Sequence, residues 1–496
     1  MPHRSPLAPG AGTSAPPAAD PSHGVAKPGV ALAAVAVVAC VAQFMVVLDS
    51  SIVNVALPAM KAGLGLSAPT QQWVVNGYLV AFGGLLLFAA RASDLFGRRR
   101  VFQTGLVVFS AASLAGGLAQ DGWMLLAARV VQGAGAAALA PSSLSLITAS
   151  HTEPSERTRA MTWWGVAASS AGAAGIVVGG LLASVSWRWV MLVNVPIGAG
   201  LLVASLTCLA PTATAQRRSR IDLAGALTVT LSAATFVYGV AAAPDAGWGA
   251  ARVIGSLVAG AVLLAAFVAV ERRSSEPLVP LGIFSVANVR MGNVLTLCMG
   301  AVITAPLFFL SLYLQQVLGH SAVRTGLSLL PMVAVISAGV LLSQKLIPVV
   351  GARRLVVIGG VVAAVGLAWL GRLPVRSDYV TGVLLPTVVV GAGTSLTMMP
   401  AIVASTSGID PRDAGVASGL LNMCRQLGAA LGLAVLATIA AGVTSHSGSG
   451  GNAAVVDGYR VAFYALAVLA LGTAALALRL RPAPDTAAAA NEADTA

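Results

Sequence analysis

Asp49 is the one carboxylate that falls well inside an apolar stretch of this chain, in the run LDSSIVNVALP. An acid at the centre of a bilayer costs about 2.5–3.5 kcal/mol on insertion scales, and such an acid is a functional candidate by default. Its chemistry would be to take up and release a proton as its surroundings change. Two cations also lie inside apolar stretches, Arg129 and Arg425. A cation beside an acid favours its charged form, whereas burial favours the neutral one, so a fixed arginine can tune a proton site. Each of these has a plainer reading too. Asp49 reaches the outer interface if the first span is shifted. Arg129 fixes helix packing if backbone carbonyls satisfy it. Arg425 either faces a cavity, with Gln426, or snorkels to the cytoplasmic side.

Other chemistries are excluded by what the chain lacks. Cys40, Cys208, Cys298 and Cys424 all sit in apolar segments without a CxxC pair, which fits small buried residues rather than zinc ligands or disulfides. Lys27, Lys61 and Lys345 are the only lysines, and none is followed by Ser or Thr. A Walker A loop needs that pair, so the chain is no P-loop ATPase. The five histidines are scattered and no HExxH occurs. No nucleophile, metal or cofactor constellation remains, and the expectation is a protein that is no enzyme and uses no cofactor.

The elements that must hold Asp49 are apolar throughout. Charged residues make up 9% of the 496 and apolar ones 57%, against about 25% charged in soluble domains. The natural solvent is lipid, and the net charge of +12 fits basic loops on an anionic leaflet rather than nucleic acid. Runs of about 20 apolar residues recur fourteen times between residues 31 and 479. With the N-terminus placed in the cytoplasm, 20 of the 29 Lys and Arg fall on cytoplasmic segments and 7 on outer ones. That is the positive-inside bias, and an even number of spans returns the C-terminus to the same side.

A weak internal repeat accompanies the spans. Gly97-Arg98-Arg99 is echoed by Gly351-Ala352-Arg353-Arg354, and Gly133-x-Gly135 by Gly391-x-Gly393; the shared offset of about 255 residues is what parallel transporter halves would show. The expected organisation is a disordered tail over 1–29, a six-helix bundle over 30–210 and a linker with two extra spans over 211–288. A second six-helix bundle over 289–480 and a tail over 481–496 complete it.

Several strings then converge: RASDLFGRRR from Arg91, RVVQGAGAA from Arg129, the span-five glycines Gly172, Gly175, Gly179 and Gly180, and WRWVMLVNVPIG from Trp187. QWVVNGYL from Gln72, ERRSSEPLVPLGIF from Glu271 and AGVASGLLNMCRQLGAALG from Ala414 extend them over about residues 40 to 480. In number, order and spacing they resemble the major facilitator superfamily, specifically its fourteen-spanner drug–proton antiporter branch. The sequence departs from that pattern at Ala90, Ala92 and Ser93, which stand for Gly, Leu and Ala of the loop motif. It departs again at Ile176, which stands for the proline of the antiporter motif. Without that proline span five should be straighter, and the likeness carries less weight for antiport than for fold.

The resemblance implies an all-α integral membrane fold, two six-helix bundles plus two inserted helices, fourteen spans in all. It implies proton coupling at Asp49 and Arg129, and conformational roles for Asp94, Gly97, Arg98, Gly133, Gly175, Gly179 and Gly180. Gly97 permits a tight turn, and Asp94 can sit at a helix N-terminus as a latch. The expected substrate cavity gathers Gln43, Asn54, Asn76, Tyr78, Gln132, Trp163, Gln315, Asn422, Arg425 and Gln426. Trp164, Phe308, Phe309 and Tyr313 are further aromatic candidates. The implied activity is proton-coupled export of amphipathic, aromatic or cationic drugs, antibiotics or secondary metabolites across the cell membrane by alternating access. The partners are a small drug-like molecule, protons and the lipid bilayer, and the protein acts as a monomer. The Ala- and Arg-rich, Lys-poor composition points to a high-GC bacterium and so to an antibiotic or secondary metabolite. A facilitator or symporter importing a nutrient is the alternative.

Overall fold

A long apolar segment in lipid must satisfy its own backbone groups, and a helix does so. The computed structural model describes residues 28–151, 153–209, 222–274, 276–376, 378–407, 409, 414–448 and 450–480. Most of both tail readings and the segment 210–221 of the linker lie outside the described residues. Among the described residues there is no strand, and the chain runs as fourteen helical columns. The first six are α1 (Pro28–Leu64), α2 (Ala68–Phe96), α3 (Arg98–Gly117), α4 (Gly122–Ser150), α5 (Pro154–Val185) and α6 (Trp187–Cys208). Next come α7 (Leu223–Ala246) and α8 (Ala251–Arg273). The last six are α9 (Ala287–Val317), α10 (Ala322–Val350), α11 (Ala352–Leu370), α12 (Val380–Thr406), α13 (Ala414–His446) and α14 (Asn452–Ala477). Thirteen are long and apolar enough to cross a membrane. The exception is α3, 20 residues long, because it opens on Arg98, Arg99 and Arg100 and carries Gln103 and two serines.

Local chemistry sets the ends. Ser67, Ser186 and Ser321 cap α2, α6 and α10 by accepting from Thr70, Arg188 and Arg324 backbone N–H groups, as N-cap residues do. The α2–α3 and α10–α11 corners are single glycines, Gly97 at φ 92° and Gly351 at φ 85°. Side chains avoid that region, so the repeat noticed in the sequence is a repeated turn. The second echo is a repeated contact. A Cβ on Gly133 would stand 2.5 Å from the Tyr78 carbonyl of α2, and one on Gly391 would stand 2.9 Å from the Met332 carbonyl of α10. Glycine lets α4 ride on α2 and α12 on α10 in the same way, the small-residue packing expected in lipid.

Two sets of helices pack among themselves. In one, α4 lies on α2 and α3, and α5 on α1; in the other, α12 lies on α10 and α11, and α13 on α9. They meet along two seams, α2 against α13 and α5 against α10. At one end α1 also touches α9, where Ser311 Oγ donates to the Asn54 carbonyl (2.9 Å) and Gln315 Nε2 to that of Val55 (2.9 Å). α7 and α8 pair with each other, and α7 covers the α2–α13 seam from outside. α5 runs unbroken from Pro154 to Val185, with Ile176 in place of a kinking proline.

Candidate functional site

Asp49 sits near the middle of α1, and its side chain has no exposed surface. Its carboxylate is met from two other helices. Arg129 Nη1 of α4 donates to Oδ2 at 2.7 Å. Gln132 Nε2, one turn along α4, donates to Oδ1 at 2.7 Å, and Asn194 Nδ2 of α6 donates to the same oxygen at 2.9 Å. Arg129 and Gln132 reach the same carboxylate because residues three apart share a helix face.

Further partners fix the arginine and the glutamine. Arg129 Nε donates to the Val74 carbonyl of α2 (3.0 Å), Nη1 also to Gln132 Oε1 (2.7 Å), and the guanidinium lies 4.3 Å over the Tyr78 ring. Gln132 Nε2 also donates to Ser113 Oγ of α3 at 2.8 Å. These contacts settle the amide orientation of Gln132, since a flip would set NH₂ against the guanidinium. The Tyr78 hydroxyl reaches the Val46 carbonyl at 3.4 Å. Groups from five helices, the tyrosine ring of α2 among them, thus enclose one ion pair. Taking either partner away from such a buried pair costs about 3–5 kcal/mol.

Asn194 and Ser113 were not singled out from the sequence. Asn194 stands inside WRWVMLVNVPIG, immediately after the break at Val193 that divides α6 into Trp187–Leu192 and Asn194–Cys208. A polar side chain beside a helix break was the available signal. Ser113 had none.

The expected cavity residues separate into three groups. Tyr78, Gln132 and Asn76 are fully buried in this conformation. The first two belong to the Asp49 site, and the Asn76 amide has no hydrogen-bond partner. Asn54 and Gln315 hold the α1–α9 contact, with Asn54 Nδ2 also donating to the Ser50 carbonyl. Gln43, Trp163, Asn422, Arg425 and Gln426 remain. Gln43 on α1 is nearly buried with Oε1 unpartnered, and Trp163 on α5 is 59% exposed. Arg425 Nη2 stops at Asn422 Oδ1 (3.0 Å), and Gln426 abuts Gly83 of α2. Phe308, Phe309 and Tyr313 are core, with Phe309 packed on Tyr459 and Phe463, so they line no cavity. Trp164 donates to Ser143 Oγ at 3.1 Å.

The expected conformational residues also divide. Asp94 lies in the last turn of α2, exposed and without an ion pair among the described residues. This corrects its placement at a helix N-terminus: α2 continues until Gly97 stops it. Arg98 opens α3. Gly175 and Gly179 seat α5 on α1, against Ser51 and Ile52, whereas Gly180 meets the Ala322 carbonyl of α10. From the partner side, Gly326 meets the Ile176 carbonyl. Near the α2–α3 corner, Arg91 Nη2 donates to the Pro277 carbonyl at 3.2 Å, tying down the loop after α8. Glu271 Oε2 holds the Val279 amide of that loop at 3.1 Å.

Two helical sets joined by narrow seams, with a buried acid–arginine pair in one of them, define a multi-pass membrane transporter. Residues 39–433 match the model of the major facilitator superfamily, and the chain belongs to that superfamily. It is 43% identical over 444 residues to the cephamycin export protein CmcT of Amycolatopsis lactamdurans, covering 89% of this chain and 90% of the relative. It is 41% identical over 458 residues to the puromycin resistance protein pur8 of Streptomyces alboniger, again covering 89% and 90%. Among solved structures, a bacterial homolog of the lysosomal transporter Spinster, inward-facing and occupied, aligns with TM-score 0.63 over 92% of this chain and 98% of that one, at 18% identity.

Proposed function

We propose that this transporter exports small amphipathic antibiotic-like molecules across the cell membrane in exchange for protons, by alternating access, with Asp49 as the proton carrier. The observation that carries this is the Asp49 cage. All three side chains that bond the carboxylate are donors, so the site fits the ionised form. A proton on Asp49 removes the charge that Arg129 pairs with, leaves the buried guanidinium uncompensated and weakens the tie of α1 to α4. Charge change is thereby coupled to helix packing, which proton-driven export requires. The two relatives bearing export and resistance names support the direction.

The charge bias of the loops supports a cytoplasmic placement of both termini. On that topology the α1–α9 contact closes the outer end, and this is the inward-facing state. α4 and α12 are not packed together among the described residues, which leaves the inner end free to admit substrate. Protonation from outside would favour this state, and proton release inside would favour the other. The drive is about 2.3 kcal/mol per charge per 100 mV of potential, plus the pH gradient. The test is efflux in everted vesicles with an imposed pH gradient, with and without an uncoupler. Equal export with the gradient collapsed would remove proton coupling, and accumulation of substrate in energised cells would reverse the direction.

A further inference from the structure

We infer that Arg425 is the receptor for an anionic group, a carboxylate, on the transported molecule, which makes this chain an exporter of acids. The inference rests on the exporter reading for its cavity but not on proton coupling. It sets an acid in place of the cationic option among the amphipathic, aromatic or cationic substrates that the resemblance implies.

Position comes first. Ser418, Asn422 and Arg425 are spaced i, i+4, i+7 on α13, with Ser418 exposed and the other two half-buried. At about 100° per residue they share one stripe. On one side of it, Gly419 and Gln426 abut Leu87 and Gly83 of α2; on the other, Gly428 and Gly432 abut Leu297 and Ala301 of α9. Thr438, which bonds the Val240 carbonyl of α7, lies on the opposite face. The polar stripe therefore looks into the space between a helix of one half and a helix of the other. A polar, accessible stripe within a span faces water rather than lipid.

Charge comes second. Among the described residues the ion pairs are Arg129–Asp49 and Arg460–Asp457. No carboxylate reaches Arg425. Its Nη2 donates to Asn422 Oδ1 alone, and its Nε is buried with no partner. Asp49 is committed to Arg129, so among the described residues no acid compensates Arg425. A guanidinium kept this way is costly. Its planar fork matches a carboxylate in two parallel bonds, which an ammonium cannot imitate. Asn422 fixes one edge of the fork, and Arg425's own carbonyl lies flush against Gly300 of α9, so the head is held ready at one place.

The test uses the full chain in phosphatidylcholine nanodiscs, without any gradient. Dansyl-phenylalanine and its methyl ester, which differ only in the carboxylate, are titrated by fluorescence anisotropy. Wild type should bind the acid about tenfold tighter or better, the effect of one charge-assisted contact. Arg425→Gln should abolish that preference while leaving ester binding unchanged, and Arg425→Lys should keep part of it. Gel filtration of each variant confirms folding. Absence of acid preference in wild type, whether both bind alike or neither binds, overturns the inference; so does a preference that survives in Arg425→Gln. A second arm adds phosphatidylglycerol. Acid binding that persists supports a small-molecule receptor, whereas loss of it assigns Arg425 to a lipid headgroup and overturns the proposal. A gradient-independent result of either kind leaves proton coupling to be judged by the vesicle experiment.

Discussion

Three donors around Asp49 make the site sensitive to a single proton. Asp49→Asn keeps the shape but sets an amide N–H against the N–H of Arg129, Gln132 or Asn194, whose bonds all end on the carboxylate. Uphill export should be abolished in everted vesicles while the variant still inserts, and Asp49→Glu should keep some. Arg129→Lys should lower export although charge is kept, because one ammonium cannot serve Val74, Asp49 and Gln132 and also stack on Tyr78. Wild-type export by the lysine variant would show that charge alone suffices. Asp94 carries a different argument. An acid at a helix C-terminus meets the negative end of the dipole, and this one has no cation partner here. On the reading of Asp94 as a conformational latch, Asp94→Asn should cut export at normal expression and shift the protein toward the state described. Asp49 and Arg129 were legible in the sequence because ionised groups are expensive in lipid. Asn194 and Ser113 were not, because their role depends on α6 and α3 arriving beside α1 and α4 from far along the chain.

The elements were legible as runs of apolar residues, and their symmetry as two glycine pairs. What sequence could not supply was how long each helix continues past its apolar run. Asp94 was misplaced for this reason, since α2 outlasts its apolar span and ends only at Gly97. The break in α6 was also missed, although Pro196 was there to signal it, since its missing N–H leaves the Leu192 carbonyl without a helical partner. The glycine pairs allow an element-scale comparison. Gly133 lies one residue from Gln132 and one turn from Arg129, whereas at the same offset α12 carries Thr387 in Arg129's place. Gly133→Ala pushes α4 off the Tyr78 carbonyl and Gly391→Ala pushes α12 off that of Met332. Both should lower thermal stability, each overpacking costing about 1–3 kcal/mol. Only Gly133→Ala displaces Arg129 and Gln132, two of the three residues that hold Asp49, so it should lower gradient-driven export more than Gly391→Ala at matched protein. Equal losses would mean the two seats serve packing alone.

At the scale of the molecule, the chemistry is unevenly shared between halves that are built alike. The paired acid lies in α1 and α4, the unpaired cation in α13, and the halves touch at one end through main-chain acceptors on α1. Ser311 and Gln315 of α9 hold the carbonyls of Asn54 and Val55; Asn54 and its neighbours share α1 with Asp49. A change at Asp49 that shifts α1 is thus felt directly at the closed end. If transport is alternating access, that end must open once in every cycle. A cysteine pair, Asn54→Cys with Ser311→Cys, in a chain whose Cys40, Cys208, Cys298 and Cys424 are replaced by Ala, places thiols across the contact. Oxidation should lower export about tenfold or more, and dithiothreitol should restore it. The cross-link should leave dansyl-phenylalanine binding intact, because the stripe on α13 would still be reached from the opposite end. Export at the uncross-linked rate with the disulfide verified by mass spectrometry would mean that the α1–α9 end never opens, and that substrate leaves by another route.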